Sequence, residues 1–294
     1  MKKKLINKEN SEVTIVIPTF NRSDYVQEAI ASAMKQTYPC QIIVCDHGSS
    51  DDTPEVMKKY KNDVTYIRRE EDFGPHFMWL DGVIHAKTKY VKILYDDDWI
   101  EPTFIEKTLS LMKENVSCVI TNANISFEGG KKKRVVKSTF FNKTGVFPKF
   151  IIESEILLLG GVISPTAVLF RRDELIDGIY QGKLLKKGGN YYHGVGPDMF
   201  VMLLGFLRYP KTGFVNEYLA TFRAHEKSIT MDAKKEGDKN NRIQAAYEDT
   251  VEFYSFLKWF KIFKIVYLLS PVRIVRGILR NNIEVIKRIV KKFI

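Results

Sequence analysis

Residues 91–102 read VKILYDDDWIEP: an apolar run breaks into three consecutive aspartates, Asp96, Asp97 and Asp98, followed by Trp99 and Pro102. Like charges this close repel, so a strand ending in them needs solvent, a basic neighbour or a bound cation to offset them. The same arrangement recurs upstream. VTIVIPTF (13–20) is a short β-branched run closed by Pro18 and followed by Asn21 and Arg22, and QIIVCD (41–46) runs into HGSSDDT. VTYIRR (64–69) and YVKILY (90–95) complete four candidate strands.

The intervening segments have helical spacing. SDYVQEAIASAMKQ (23–36) carries apolar residues at 26, 29, 30, 33 and 34, with Ser23 or Asp24 as the N-cap. PEVMKKY begins with Pro54 after a turn cluster, and residues 75–87 give a third helix. Strands that alternate with helices and are continuously apolar predict a parallel sheet covered on both faces. In such sheets ligands bind beyond the carboxyl ends of the strands. Three polar clusters, PTFNR, CDHGSSDD and DDDW, fall at three such ends.

Residues 115–230 are more mixed. CVITNANISF and AVLFRR read as strands separated by a GGKKKR turn, and PDMFVMLLGFL (197–207) as an apolar helix headed by Pro197 and Asp198. GFVNEYLATFRAHEKSIT reads as a strand and a polar loop, and MDAKKEGDKNN (231–241) as a linker. The expected division is a catalytic domain over 1–230 and an extension over 231–294.

Composition is that of a globular protein: 294 residues, 45% hydrophobic and 28% charged. Three cysteines, Cys40, Cys45 and Cys118, are too few for a disulfide framework and predict reduced thiols in a cytosolic setting. The amino terminus lacks an apolar signal core and no run approaches 18 apolar residues, so neither an export signal nor a transmembrane helix is expected. The net charge is +11, and residues 255–294 hold ten Lys/Arg against one acid, Glu284. Nine of the eleven surplus charges therefore lie in the tail, which argues against a nucleic-acid face on the body.

In that tail, Phe256, Trp259, Phe260, Phe263 and Tyr267 share one helical face, with Lys258, Lys261 and Lys264 toward the other, and a second basic segment follows a hinge at Ser270-Pro271. Such faces suit a helix lying in the surface of an anionic membrane, each basic side chain adding about 1 kcal/mol. The alternative is a helical hairpin packed on the body or in a dimer, which leaves homo-oligomerisation open.

Four ordered blocks, VTIVIPTFNR, QTYPCQIIVCDHGSSDDT, KYVKILYDDDWIEP and GPDMF with FRAHEKSIT, together resemble family 2 glycosyltransferases of the bacterial surface-polysaccharide type over roughly residues 12–230. The resemblance implies a GT-A fold: a Rossmann-like, mostly parallel sheet with helices on both faces, here with a basic helical extension. It also implies inverting transfer of one hexosyl or N-acetylhexosaminyl unit from a nucleotide-diphosphate sugar, with a UDP-sugar as the expected donor, to a lipid-linked glycan acceptor. The implied location is cytoplasmic, peripheral on the inner face of the plasma membrane.

Residue by residue, the resemblance implies that Phe20 stacks on the donor base, with Pro18 and Thr19 lending backbone contacts and Arg22 in the same donor-binding set. Asp46 would accept from the base imide, and Asp96 would reach the ribose. His47 departs from the usual second aspartate of that block, and Tyr95 stands where the first aspartate of the acidic block is usual. Asp97, Asp98 and His225 would hold a divalent cation, Mn2+ or Mg2+, which offsets the diphosphate charge. Arg223 and Lys227 read as phosphate contacts or as ordinary loop charges. Asp198 would be the general base, although Pro197 replaces the acid usual before it. Without the resemblance, Asp46 with Ser49 and Asp198 read as helix-start groups.

Two other classes deserve comparison. A sugar-phosphate nucleotidyltransferase needs a glycine-rich loop after the first strand, and PTFNRSDY has no glycine. A non-catalytic, membrane-bound nucleotide-sugar binding protein would be free to lose Asp97, Asp98, Asp198 and His225, all of which are present.

Overall fold

The computed structural model describes residues 10–72, 74–127, 133–136, 141–159, 163–182, 197–225 and 237–269. The four apolar runs form one half of a single sheet. β1 (Val13–Thr19) and β2 (Gln41–His47) pair in parallel, β3 (Thr65–Arg69) extends beyond β2, and β4 (Tyr90–Ile93) lies along the other side of β1. β1 and β4 are buried at every position, which is why apolar residues follow one another in them instead of alternating with polar ones.

The order β3-β2-β1-β4 reverses at β1, and such a switch point opens a crevice. Pairing of β1 with β4 ends at Val16 opposite Ile93, followed by a bond from the Leu94 N–H to the Val16 carbonyl at 2.9 Å. Pro18, which has no N–H to donate, falls past that last pair while keeping its register with Cys45 of β2. The run therefore leaves the strand two residues earlier than YVKILY suggests, and the acidic turn occupies the gap.

The other half of the sheet brings a distant segment to the same edge. β9 (Val168–Arg171) is antiparallel to β4, β6 (Val116–Phe127) is antiparallel to β9, and β10 (Lys211–Ala224) is parallel to β6. The two reversals cancel, so β10 ends at the edge where β1, β2 and β4 end. β5 (Trp99–Ile100), just after the aspartates, pairs with Ala220 and Thr221 of β10. β7 (Lys133–Val136) pairs with β6, and β8 (Gly145–Pro148) with β10.

Helices cover both faces. Val13, Ile15 and Ile17 pack with Val26 and Ile30 of α1 (Ser23–Met34) and with Phe104 and Ile105 of α4 (Phe104–Leu111); α2 (Thr53–Met57) adds Val56. On the opposite face α3 (Pro75–His85) crosses Val16 and Cys45 so closely that a Cβ at Gly82 would stand 2.2 Å from Val16 Cγ1. α5 (Phe150–Leu159), α6 (Arg172–Gly182) and α7 (Pro197–Arg208) complete this unit together with the start of α8 (Gly237–Leu269).

The chain divides into two compact units, Met1–Val251 and Glu252–Ile294. α8 begins at Gly237, inside the segment expected to be linker, and ends at Leu269, immediately before the expected hinge. In the second unit Phe256, Trp259 and Phe260 are exposed, Trp259 at 71%, with the Phe256 and Phe260 rings stacked 6.3 Å apart. No helix among the described residues is long and apolar enough to cross a membrane. Lys227, the hinge and the second basic segment lie outside the described residues.

Candidate active site

The loops after β1 and β2 hold each other. Asn21 has φ 53°, a left-handed conformation that asparagine tolerates better than most side chains. Its N–H donates to Ser49 Oγ at 2.9 Å and its Oδ1 accepts from the Ser50 N–H at 2.8 Å. In return Asp51 Oδ2 accepts from the Ser23 N–H at 2.9 Å. The start of α1 is thus capped from the neighbouring loop and not by Ser23 or Asp24, because Arg22 occupies the cap position and its side chain makes no capping bond. Phe20 stands at the rim, 36% exposed and open to a planar ligand.

Asp46 is fully buried. Its Oδ1 accepts from the Ser49 N–H at 2.9 Å, and its Oδ2 accepts from the Tyr66 hydroxyl at 2.5 Å, with Arg68 Nε 3.6 Å away. Burial and this carboxylate push the Tyr66 phenol above its ordinary pKa. The structure places Asp46 as a turn anchor behind Tyr66. His47, the next residue, points to the opposite face and meets Asp81 of α3 at 3.2 Å. Arg69 forks onto the same carboxylate at 2.6 and 2.8 Å and holds it below the usual carboxylate range.

Each of the three aspartates has its own surroundings. Asp96 accepts from Thr19 Oγ1 at 2.9 Å and from Arg22 Nη1 at 2.8 Å; burial raises its pKa against the pull of Arg22. Asp97 Oδ2 accepts from the same Arg22 Nη1 at 2.8 Å and lies 3.0 Å from His225 Nε2. Burial disfavours its charged form, but the His225 bond and the Arg22 charge outweigh this, and its pKa falls below the ordinary value. Asp98 turns inward: its Oδ1 accepts from the Arg223 N–H at 3.0 Å, Thr166 also hydrogen-bonds it, and burial beside Asp97 raises its pKa well above normal. The answer to the charge problem in this acidic run is therefore Arg22 in front, His225 at the side and desolvation behind.

His225 follows β10, so the cancellation of strand directions puts it within reach of a residue 128 positions earlier. Its ring lies 5.0 Å from Tyr25, and among the described residues its buried Nδ1 has no hydrogen-bond partner. Arg223 is committed to the scaffold. Its guanidinium stands over Tyr25 at 5.1 Å and Trp99 at 4.9 Å, Nε donates to the Asp97 carbonyl at 3.1 Å, and it pairs with Glu28. Beneath the turn, Lys92 is fully buried in β4, and Nζ donates to the carbonyls of Pro165 and Thr166.

Asp198 stands in the first turn of α7. Its Oδ1 accepts from the Met199 N–H at 2.8 Å and its Oδ2 from the Tyr247 hydroxyl, on α8, at 3.2 Å. The Tyr95 phenol, raised far above its ordinary pKa by burial, next feels the charge of Asp198 and, further down, that of Asp98 and Asp97. The base candidate and the acidic turn thus act on one tyrosine electrostatically.

For a divalent cation, the fit rests on Asp97 and His225. A carboxylate oxygen and an imidazole nitrogen converge at 3.0 Å, and among the described residues the other ring nitrogen has no hydrogen-bond partner. That pair suits Mn2+, which accepts nitrogen beside oxygen and completes its shell from phosphate and water. Asp98 is directed elsewhere, and among the described residues no three His, Cys, Asp or Glu side chains gather into a metal-binding group. Sequence reasoning missed Tyr66, Tyr247, Thr166 and Lys92; of these only Lys92 carries a signal, as a single lysine inside an apolar run.

Residues 14–178 match the family model described as Glycosyl transferase family 2. An uncharacterized glycosyltransferase of Rickettsia felis is 30% identical over 179 residues, covering 59% of this chain and 29% of that protein. The chondroitin synthase of Pasteurella multocida is 32% identical over 123 residues, 40% of this chain and 13% of that one. The chain thus spans less than a third of these relatives. Among solved structures, S. aureus TarS 1-349 in complex with UDP-GlcNAc gives a TM-score of 0.57 at 16% identity, over 83% of this chain and 73% of that one. The mannosyltransferase PcManGT from Pyrobaculum calidifontis, in complex with GDP-Man and Mn2+, gives 0.50 at 14% identity, over 93% and 80%. At these identities the likeness shows the fold.

Proposed function

Because the chain belongs to glycosyl transferase family 2 and has a GT-A fold, we propose that it transfers a single sugar, with inversion, from a UDP-sugar to a lipid-linked glycan acceptor in polysaccharide biosynthesis. The observation that carries this reading is the meeting of Asp97 and His225 at the β1–β4 crevice, 3.0 Å apart, beside Asp96 and Arg22.

Phe20 at the rim stacks on the base, while Pro18 and Thr19 form the floor of the nucleotide site. Asp46 acts on the base from behind Tyr66, as the residue that fixes the turn. Asp96, held by Thr19, faces the ribose. Asp97 and His225 would hold Mn2+ or Mg2+, which would supply positive charge to offset that of the diphosphate. Asp98 supports them from its buried position and is not itself a ligand. Asp198 takes the proton of the acceptor hydroxyl as that oxygen attacks the anomeric carbon. The bond from that carbon to the diphosphate oxygen breaks, and the electron pair leaves with UDP. The Met199 N–H on Oδ1 and the Tyr247 hydroxyl on Oδ2 orient the carboxylate for the acceptor. Catalysis is assigned to the segment through residue 230. The exposed Phe256, Trp259 and Phe260, with Lys258 and Lys261, favour peripheral attachment to the anionic cytoplasmic face of the membrane.

The test is calorimetric titration of UDP with and without Mn2+ on the wild type and on Asp97→Ala. Binding that requires both Mn2+ and Asp97 supports the reading and justifies a screen of UDP-sugars. Absence of UDP binding under every condition overturns the donor assignment.

A further inference from the structure

We propose that Arg22 is an internal counter-cation for the acidic turn: without ligands its guanidinium occupies the place of the divalent cation, and it passes to the diphosphate when cation and donor arrive together. This rests on the reading above, in which Asp97 and His225 hold the cation.

The geometry is specific. One nitrogen, Arg22 Nη1, lies 2.8 Å from Asp96 Oδ1 and 2.8 Å from Asp97 Oδ2. The second of those oxygens is also the one His225 Nε2 approaches at 3.0 Å. The vertex where a cation would be ligated is therefore taken by a positive side chain. A divalent ion ligated by Asp97 Oδ2 would stand in near contact with Nη1, and two cations at that separation repel. One must leave, and only Arg22 has somewhere to go.

Its freedom is confined to the side chain. The preceding residue, Asn21, is fixed by its bonds to Ser49 and Ser50, and Ser23 is fixed by Asp51, so the backbone on either side of Arg22 is held. The side chain itself is 25% exposed. Among the described residues, Arg22 Nε and Nη2 bond to nothing. A guanidinium with one nitrogen on carboxylates and the rest of its fork unused is suited to a bidentate grip on phosphate oxygens. Exchange also orders the binding steps. Cation alone must displace a bonded arginine with nothing to receive it, whereas cation with nucleotide diphosphate provides the receiving anion.

The experiment measures free Mn2+ by its paramagnetic resonance signal in titrations of the full chain, with and without UDP, on wild type, Arg22→Gln, Arg22→Lys and Asp97→Asn. Charge-assisted hydrogen bonds of this kind correspond to about a tenfold effect or more. Arg22→Gln is expected to bind Mn2+ alone at least about tenfold more tightly than the wild type, and UDP with Mn2+ about tenfold more weakly. Arg22→Lys, keeping the charge without the fork, is expected to leave Mn2+ binding near wild type while weakening UDP. Thermal melts check the fold: Arg22→Gln should lose stability without metal and recover it as Mn2+ is added, because a ligand that binds only the folded state stabilises it. Arg22→Gln with unchanged or weaker Mn2+ affinity overturns the counter-cation role, while Mn2+ bound with UDP in the wild type leaves the metal reading standing. Mn2+ that never binds the wild type, or binds Asp97→Asn equally well, removes both.

Discussion

Replacing Arg223 by lysine separates a scaffold role from a phosphate role, because lysine retains the charge and loses the planar fork. The guanidinium lies between Tyr25 and Trp99 with ring-centre distances of 5.1 and 4.9 Å, and Nε donates to the Asp97 carbonyl at 3.1 Å. Two partly buried cation–π contacts contribute about 1 kcal/mol each, and the charged hydrogen bond about 1.5 kcal/mol. The Glu28 carboxylate is half-exposed, and that pair adds less than about 1 kcal/mol. Lysine can recover one of these contacts and not all, so Arg223→Lys should destabilise the protein by about 2 to 3 kcal/mol. For a unit of this size the melting temperature should fall by about 5 to 10 °C, read by differential scanning calorimetry. UDP affinity, measured well below the melting range, should change little. A melting temperature within about 2 °C of wild type together with a clear loss of UDP binding would falsify the scaffold assignment and restore Arg223 as a phosphate ligand.

Phe20→Ala should weaken UDP binding by about 1 to 3 kcal/mol, the usual scale of base–aromatic stacking, with little change in melting temperature because the ring is 36% exposed; unaltered UDP titration would remove it from the donor site. Gly82→Ala should destabilise by about 1 to 2 kcal/mol in urea titration, since a Cβ 2.2 Å from Val16 Cγ1 overpacks the α3–sheet contact by more than the improved helix propensity returns. Equal or higher stability would mean that α3 can slide away. Tyr247→Phe removes a donor to Asp198 Oδ2, so the rate of UDP release from a UDP-sugar should fall by about tenfold while the UDP affinity stays near wild type. An unchanged rate would argue that this hydrogen bond does not position Asp198 for catalysis.

What could be read from the sequence was local or periodic. Residues 13–20 and 41–46 announced buried strands because burial on both faces leaves no room for polar alternation, and β1 and β2 match them within a residue or two. Asp46 and Ser49 read from sequence as a helix cap, whereas their bond closes a turn ahead of α2, which starts only at Thr53, and Tyr66, on the next strand, could not be foreseen. β5, α4, α5 and α6 went unread: β5 is two residues long and exists because β10 passes beside it. In the site, the family resemblance named Asp97 and His225 together, but their meeting depends on two strand reversals that no short stretch encodes. The Arg22 bridge spans 74 and 75 residues, and only the folded sheet brings its ends together. Lys92 sits inside an apolar run, and its burial is accounted for by the carbonyls of Pro165 and Thr166, more than 70 residues away in sequence.

The reciprocal bonding of the first two loops has a consequence for inheritance and engineering. Asn21 caps Ser50, Asp51 caps Ser23, and Ser49 closes the circuit with the Asn21 N–H. A loop that depends on its neighbour for its backbone bonds is not a separable module. Transplanting PTFNR or HGSSDDT alone from a relative with another nucleotide preference would leave donors and acceptors unmatched at the graft, so the two stretches must travel as a pair. Chimeras that exchange both should fold, and those that exchange one should lose more stability than the sum of their point changes, a non-additivity that double-mutant cycles between Asn21 and Asp51 can measure directly.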